Sequence, residues 1–175
     1  MKRWMKTALL VAVGVVLGMP LMSMLYYTMV RTSTPQFCAL CHEIQPAYND
    51  WKTSSHGFNP QGVVADCMDC HLPAPHDTFN FFYKKSYHGL KDVVAHIFLD
   101  EYDRAKNRTR AYADIENEQC MKCHRNLLYL PENRGAMLAH RTVVHPREGY
   151  EKKCTDCHRY LVHKPKGQYA YARDY

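Results

Sequence analysis

Three things are missing from this chain. No cysteine lies outside four short motifs, no charged residue interrupts positions 7–30, and beyond position 31 no long segment carries a clean apolar period. The last absence argues against a large conventional core, so much of the interior must come from something other than aliphatic side chains. The second leaves a run that a membrane could accept. The first means that one kind of chemistry uses every thiol. The 175 residues allow one domain plus an anchor rather than two full domains, and the motif spacing is too irregular for a tandem repeat.

The motifs are CALCH at 38–42, CMDCH at 67–71, CMKCH at 120–124 and CTDCH at 154–158. They hold all eight cysteines: Cys38, Cys41, Cys67, Cys70, Cys120, Cys123, Cys154 and Cys157. Four disulfides would use the pairs, and two four-cysteine zinc sites would use the C-x2-C spacing. Neither requires a histidine directly after the second thiol. A c-type haem requires every element: two thiols to add across the porphyrin vinyl groups, a short loop to set their separation, and an imidazole beneath the iron. The expectation is four covalent haems, with His42, His71, His124 and His158 as proximal ligands. The formal net charge of +6 counts side chains only. Haem propionates would shift it towards acid, so it carries no nucleic-acid inference.

The apolar run TALLVAVGVVLGMPLMSMLYYTMV follows the basic start MKRWMK. As a helix rising about 1.5 Å per residue it would cross a hydrocarbon core of roughly 30 Å with some tilt. Gly14, Gly18 and Pro20 are tolerated in membrane helices, and Lys2, Arg3 and Lys6 put the N-terminal end in the cytoplasm. Trp4 at one edge and Tyr26 and Tyr27 at the other suit the two interfaces. A cleaved signal peptide is the competing reading, but the run is long for one and no A-x-A-like site follows it. The division expected is 1–30 as a basic start and single transmembrane anchor, and 31–175 as a periplasmic haem domain at a bacterial inner membrane. The expected fold class is mainly α with much irregular structure.

Within that domain, residues 76–112 are the one clear helical candidate, aromatic in the first half, charged in the second, broken near Gly89 and lying close to the membrane surface. Phe79, Phe81, Phe82 and Tyr83 either pack on haem faces or insert at the interface. LPAP at 72–75 and LPENRG at 130–135 read as turns, and the tail GQYAYARDY as a polar extension or a partner contact.

Seven histidines lie outside the motifs: His56, His76, His88, His96, His140, His145 and His163. Four irons need at most four of them as sixth ligands. His163 lies too close to its own motif to fold back easily, but it can reach a neighbouring iron. His56, in KTSSHG, can likewise cross to another haem. His140 or His145, in MLAHRTVVHPREG, comes next, with His96 a further candidate.

One N-terminal helix, four CxxCH motifs and a closing CHRYLVH together resemble the NapC/NirT family of membrane-anchored tetrahaem quinol dehydrogenases. The compact length and short tail look most like the NrfH branch, the electron donor of cytochrome c nitrite reductase. The resemblance implies that His56 and His163 are distal haem ligands. It also implies that KSYHGLKD supplies a lysine and, seven residues later, an acid at a menaquinol site; these are Lys85 and Asp92. A carboxylate near a ring hydroxyl can take a proton while a nearby ammonium keeps it ionised. The competing reading makes Lys84, Lys85, Lys91 and Asp92 a solvated or lipid-facing helix surface. One position departs from the branch: where its first motif continues as CxxCHxM, this chain has Ile44, which cannot bind iron. The first haem is therefore expected to use His42, with its other face open or covered by Asp92.

The function implied is menaquinol oxidation at the membrane surface, with electrons passed singly to a periplasmic multihaem reductase, foremost the ammonium-forming nitrite reductase. A donor to nitrate reductase or to several acceptors is the family alternative. A relay without its own quinol site, and a chain that itself reduces a small molecule at an open haem, are the rivals from other classes.

Overall fold

A computed structural model of the chain describes residues 2–74, 76–99, 101–129 and 134–164. The apolar run forms one helix, α1 (Arg3–Arg31), whose 29 residues would reach about 43 Å. None of them is buried, as a lipid-facing helix requires. Hydroxyls close its last turns: Thr28 Oγ1 donates to Met24 O at 2.8 Å and Thr32 Oγ1 to Thr28 O at 2.8 Å. Thr34 then caps α2 (Pro35–Cys38), accepting from Phe37 N at 3.3 Å, with Pro35 opening the helix. The first motif thus begins within a few residues of the end of α1.

Short helices carry the motifs. After α3 (Gln45–Lys52) come α4 (Cys67–His71), α7 (Asn117–Met121) and α9 (Cys154–Cys157). One local device fixes each of the last three: an acceptor at the third helical position takes the backbone N–H of the residue before the helix. The bonds run from Asp66 N to Asp69 Oδ2 at 2.8 Å, Glu116 N to Gln119 Oε1 at 2.9 Å, and Lys153 N to Asp156 Oδ2 at 2.8 Å. Asp69 and Asp156 sit directly before the second cysteine of their motifs, so the turn between the thiols is held from within.

The 76–112 segment divides, but not at Gly89. Helix α5 (Thr78–Phe98) runs through Gly89, and α6 (Arg104–Asp114) starts after a gap. A mid-helix glycine costs only about 1 kcal/mol against alanine, too little to end a helix with good neighbours. The stop comes where Leu99 turns extended, and the new start is set by Asp103, which accepts from Lys106 N at 2.9 Å. Helix α8 (Arg134–Val144) completes the described helices. After α4 the chain leaves helical geometry at Leu72, and a turn follows in which Asp77 N donates to Ala74 O at 3.0 Å. Pro75, residues 130–133 of LPENRG and the whole of GQYAYARDY lie outside the described residues.

The expected shortage of core is marked. The buried apolar side chains described are Ala39, Leu72 and Phe81, together with Pro35. The accessible surface is 14506 Å², against roughly 8,800 Å² for a folded chain of 20.4 kDa. The exposed anchor accounts for part of the excess. Polar ties hold the motif helices in register. Lys122 Nζ, in the third motif, donates to Asp69 O at 2.7 Å and Leu72 O at 2.9 Å, joining α7 to α4. Asn117 Oδ1 accepts from Cys154 N at 2.7 Å and its Nδ2 donates to Lys152 O at 2.9 Å, joining α7 to α9. These ties set the second motif beside the third and the third beside the fourth.

Candidate haem and quinol sites

Three of the four motif histidines face an imidazole from elsewhere in the chain. His56 and His124 have ring centroids 6.1 Å apart, His71 and His163 6.3 Å, and His140 and His158 6.1 Å. Two metal–nitrogen bonds of about 2 Å laid end to end, with each ring centre roughly 1 Å further back, put trans imidazoles about 6 Å apart. The gaps therefore fit an iron held from both sides. Burial holds His56 and His163 below the usual imidazole range, which favours the neutral, ligating form. His56 Nδ1 is buried without a partner.

The chain presents these imidazoles by local means. Ser54 Oγ accepts from His56 N at 3.3 Å and Gly57 N at 3.2 Å, and Trp51 Nε1 donates to Ala65 O at 2.8 Å across the same loop. A Cβ on Gly57 would lie 2.1 Å from Trp51 O, so only glycine permits this approach next to His56. His140 lies within α8, whereas His145 stands exposed just beyond its end. That separates two candidates the sequence leaves equal. His76 is exposed, and His88 packs edge-on against Tyr87 at 5.5 Å.

The first motif is different. The rings of His42 and His96 are 5.5 Å apart and meet edge-on, and a Glu43 carboxylate oxygen sits between them, 2.8 Å from His96 Nδ1 and 3.4 Å from His42 Nε2. No motif in the sequence singles out Glu43. The His96 hydrogen bond holds its carboxyl below the ordinary range. Ile44 stands one residue on, at the start of α3, as a half-buried apolar side chain.

The thiols fall into neighbouring sets. Cys38 of the first motif lies beside Cys67 of the second, and Cys120 of the third beside Cys154 of the fourth. The Cys67 contact lowers Cys38 to about 7, and burial pushes Cys120 up to about 12. Both Lys85 and Asp92 act on Cys38, the ammonium lowering its pKa and the carboxylate raising it.

Lys85 and Asp92 lie on one face of α5, two turns apart, but they do not pair. Lys85 Nζ donates to Met29 O at 3.2 Å and to Ser33 Oγ, so it clasps the end of α1. The cation nearest Asp92 is Lys91, at 4.0 Å. Burial pushes the Asp92 carboxyl up, although with 62 % of its side chain exposed the push is modest. Lys85 thus fixes helix α5 to the anchor rather than pairing with the Asp92 carboxylate. The outer side of α5 carries Phe79, Phe82, Tyr83, Leu90, Val93 and Ile97, all exposed, while Phe81 is buried on the inner side.

A family model described as the NapC/NirT cytochrome c family, N-terminal region, matches residues 1–167. The chain is 45% identical over 71 residues to the cytochrome c-type protein TorC of Escherichia coli K12, 41% of this chain and 18% of TorC. To the tetraheme c-type cytochrome CymA of Shewanella oneidensis it is 30% identical over 131 residues, covering 75% and 65% of the two chains. To NapC of Haemophilus influenzae it is 32% identical over 108 residues, covering 56% and 52%. The matched stretch is thus less than two thirds of each of these relatives. A crystal structure of the cytochrome c nitrite reductase NrfHA complex bound to the HQNO inhibitor contains a chain with TM-score 0.56 and 24% identity, over 89% of this chain and 93% of that one. At that identity the match concerns the fold.

Proposed function

Since the chain belongs to the NapC/NirT cytochrome c family, and so is a membrane-anchored multihaem c-type cytochrome that transfers electrons, we propose that it oxidises menaquinol beside its first motif and feeds a periplasmic reductase. Four haems are attached through the eight cysteines, in the order of the motifs. His42, His71, His124 and His158 would hold the four irons from one side, and His163, His56 and His140 would hold the second, third and fourth from the other. The haems, when bound, supply a row of one-electron carriers.

The observation that carries the quinol site is the position of α5. Lys85 ties it to the end of α1, and the same face sets Asp92 within electrostatic reach of Cys38 and Cys41. A quinol leaving the bilayer there meets Asp92 with the first motif behind it. Each oxidation releases two electrons and two protons. Asp92 Oδ takes a proton from a ring hydroxyl and, being exposed, passes it to water before taking the second. The apolar outer row of α5 lies against the membrane interface, and the basic start at Lys2, Arg3 and Lys6, held on the cytoplasmic side, leaves residues 31–175 on the periplasmic side.

The test replaces Lys85 and Asp92 and follows menaquinol-driven haem reduction in membranes. Loss in both variants, with dithionite-reducible haem unchanged, supports the site. Unchanged reduction makes the chain a relay fed by another complex. For the acceptor we take ammonium-forming cytochrome c nitrite reductase. Nitrate reductase is the second reading, favoured by the similarity to NapC. Gentle detergent extraction separates them: a second multihaem chain that co-purifies supports the first, and a nitrate reductase supports the other.

A further inference from the structure

Helix α6 sets three side chains on one face at four-residue intervals, and each grips chain from another part of the fold. Arg104 Nη2 lies 2.5 Å from Asp50 Oδ2, on the buried side of α3. Arg108 Nη2 donates to Lys164 O at 3.2 Å, and its guanidinium lies over the Tyr160 ring at 5.7 Å. Tyr112 Oη accepts from Tyr160 N at 3.2 Å. Asp50 leads into the loop that presents His56, and Tyr160 and Lys164 flank His163. The same row therefore holds both stretches whose imidazoles cross to a foreign motif.

Tyr160 shows why a grip is needed. Its φ of 64° is a left-handed conformation that a non-glycine residue rarely adopts and that persists where the surroundings enforce it. Three residues on, His163 faces His71 of the second motif and not the histidine of its own. The stretch after Tyr160 is irregular, and a ligand must be held within roughly 0.5 Å of its working position. Tyr112 and Arg108 brace it from α6, one binding three residues before His163 and the other one residue after.

We propose that Arg108 and Tyr112 are positioning residues for His163, so that α6, which offers no side chain to any iron, decides whether the second motif holds a six-coordinate haem. The proposal rests on the reading of His163 as a sixth ligand, and the experiment tells the two apart. Full-length, haem-loaded protein is prepared unaltered and as His163→Ala, Arg108→Gln, Arg108→Lys and Tyr112→Phe. Haem per chain, low-spin ferric electron paramagnetic resonance signal and carbon monoxide uptake by the reduced protein are measured. His163→Ala gains about one carbon monoxide per chain. Arg108→Gln and Tyr112→Phe gain a measurable part of that at unchanged haem content, Arg108→Lys gains less than Arg108→Gln, and Arg108→Gln adds nothing in the His163→Ala background. A purely structural residue would change haem content or thermal stability without opening one particular iron. Should Arg108→Gln fail to load haem, Tyr112→Phe decides, because it deletes a single oxygen. Variants that are fully loaded and take up no more carbon monoxide than the unaltered protein overturn the proposal. If His163→Ala itself takes up no extra carbon monoxide, the ligand reading falls and the proposal with it.

Discussion

His56 passes over the second motif and faces His124 of the third, with ring centroids 6.1 Å apart. His56→Ala should therefore open the third haem, not the second. The expected outcome is loss of one low-spin signal and a gain of carbon monoxide binding at unchanged haem content. His140→Ala should do the same for the fourth haem, while His145→Ala, exposed beyond α8, should leave the spectra as they are.

Gly57→Ala probes the loop behind His56. The added methyl would collide with Trp51 O at 2.1 Å, and backbone cannot yield as a flexible side chain can. A loss of about 1–3 kcal/mol is expected, seen as a lower thermal midpoint together with partial weakening of the third haem's low-spin signal.

Asp92 gives a pH dependence with a definite sign. Burial raises its carboxyl above the ordinary 3.8, so between that value and the raised one the folded chain binds more protons than the unfolded chain. Stability then falls as pH rises through this window. Asp92→Asn removes that small penalty. At neutral pH its thermal midpoint should equal or exceed that of the unaltered protein, while menaquinol-driven reduction is lost. In the unaltered protein the rate should fall on the acid side, as the carboxylate that accepts the proton is titrated. A lower midpoint in Asp92→Asn would contradict the sign.

The outer row of α5 is read as lying against lipid. Phe79→Glu with Leu90→Glu should leave haem content and dithionite reduction unchanged and slow menaquinol-driven reduction by about tenfold or more, since carboxylates on an interfacial apolar face oppose its insertion. Equal rates in vesicles would remove α5 from the membrane surface.

Covalent chemistry makes part of the site legible in the sequence alone. Attachment needs two thiols and an imidazole in five consecutive positions, so all four motifs can be read directly, and an uninterrupted apolar run exposes an anchor in the same way. Sixth ligands obey no such local rule. His140 and His145 are nearly equivalent in sequence, and only the end of α8 divides them. Lys85 and Asp92 have the right spacing to share a helix face, yet the competing attraction of Met29 O and Ser33 Oγ lies in a different element and draws the ammonium away. Gly89 looks like a break only while local propensity is weighed without the neighbouring residues. The Asp103 cap, and the aspartates inside CMDC and CTDC, are local signals of helix starts that apolar periodicity passes over. Glu43 between His42 and His96 has no local signature at all.

The scarcity of buried aliphatic side chains bears on how the molecule comes into being. A polypeptide whose buried apolar side chains, among the described residues, are Ala39, Leu72, Phe81 and Pro35 has little reason to collapse on its own. Maturation and folding then become a single event, each thioether closing another part of the shape. A chain that missed one macrocycle would remain open to proteases, so degradation would discard incomplete carriers without any dedicated inspector.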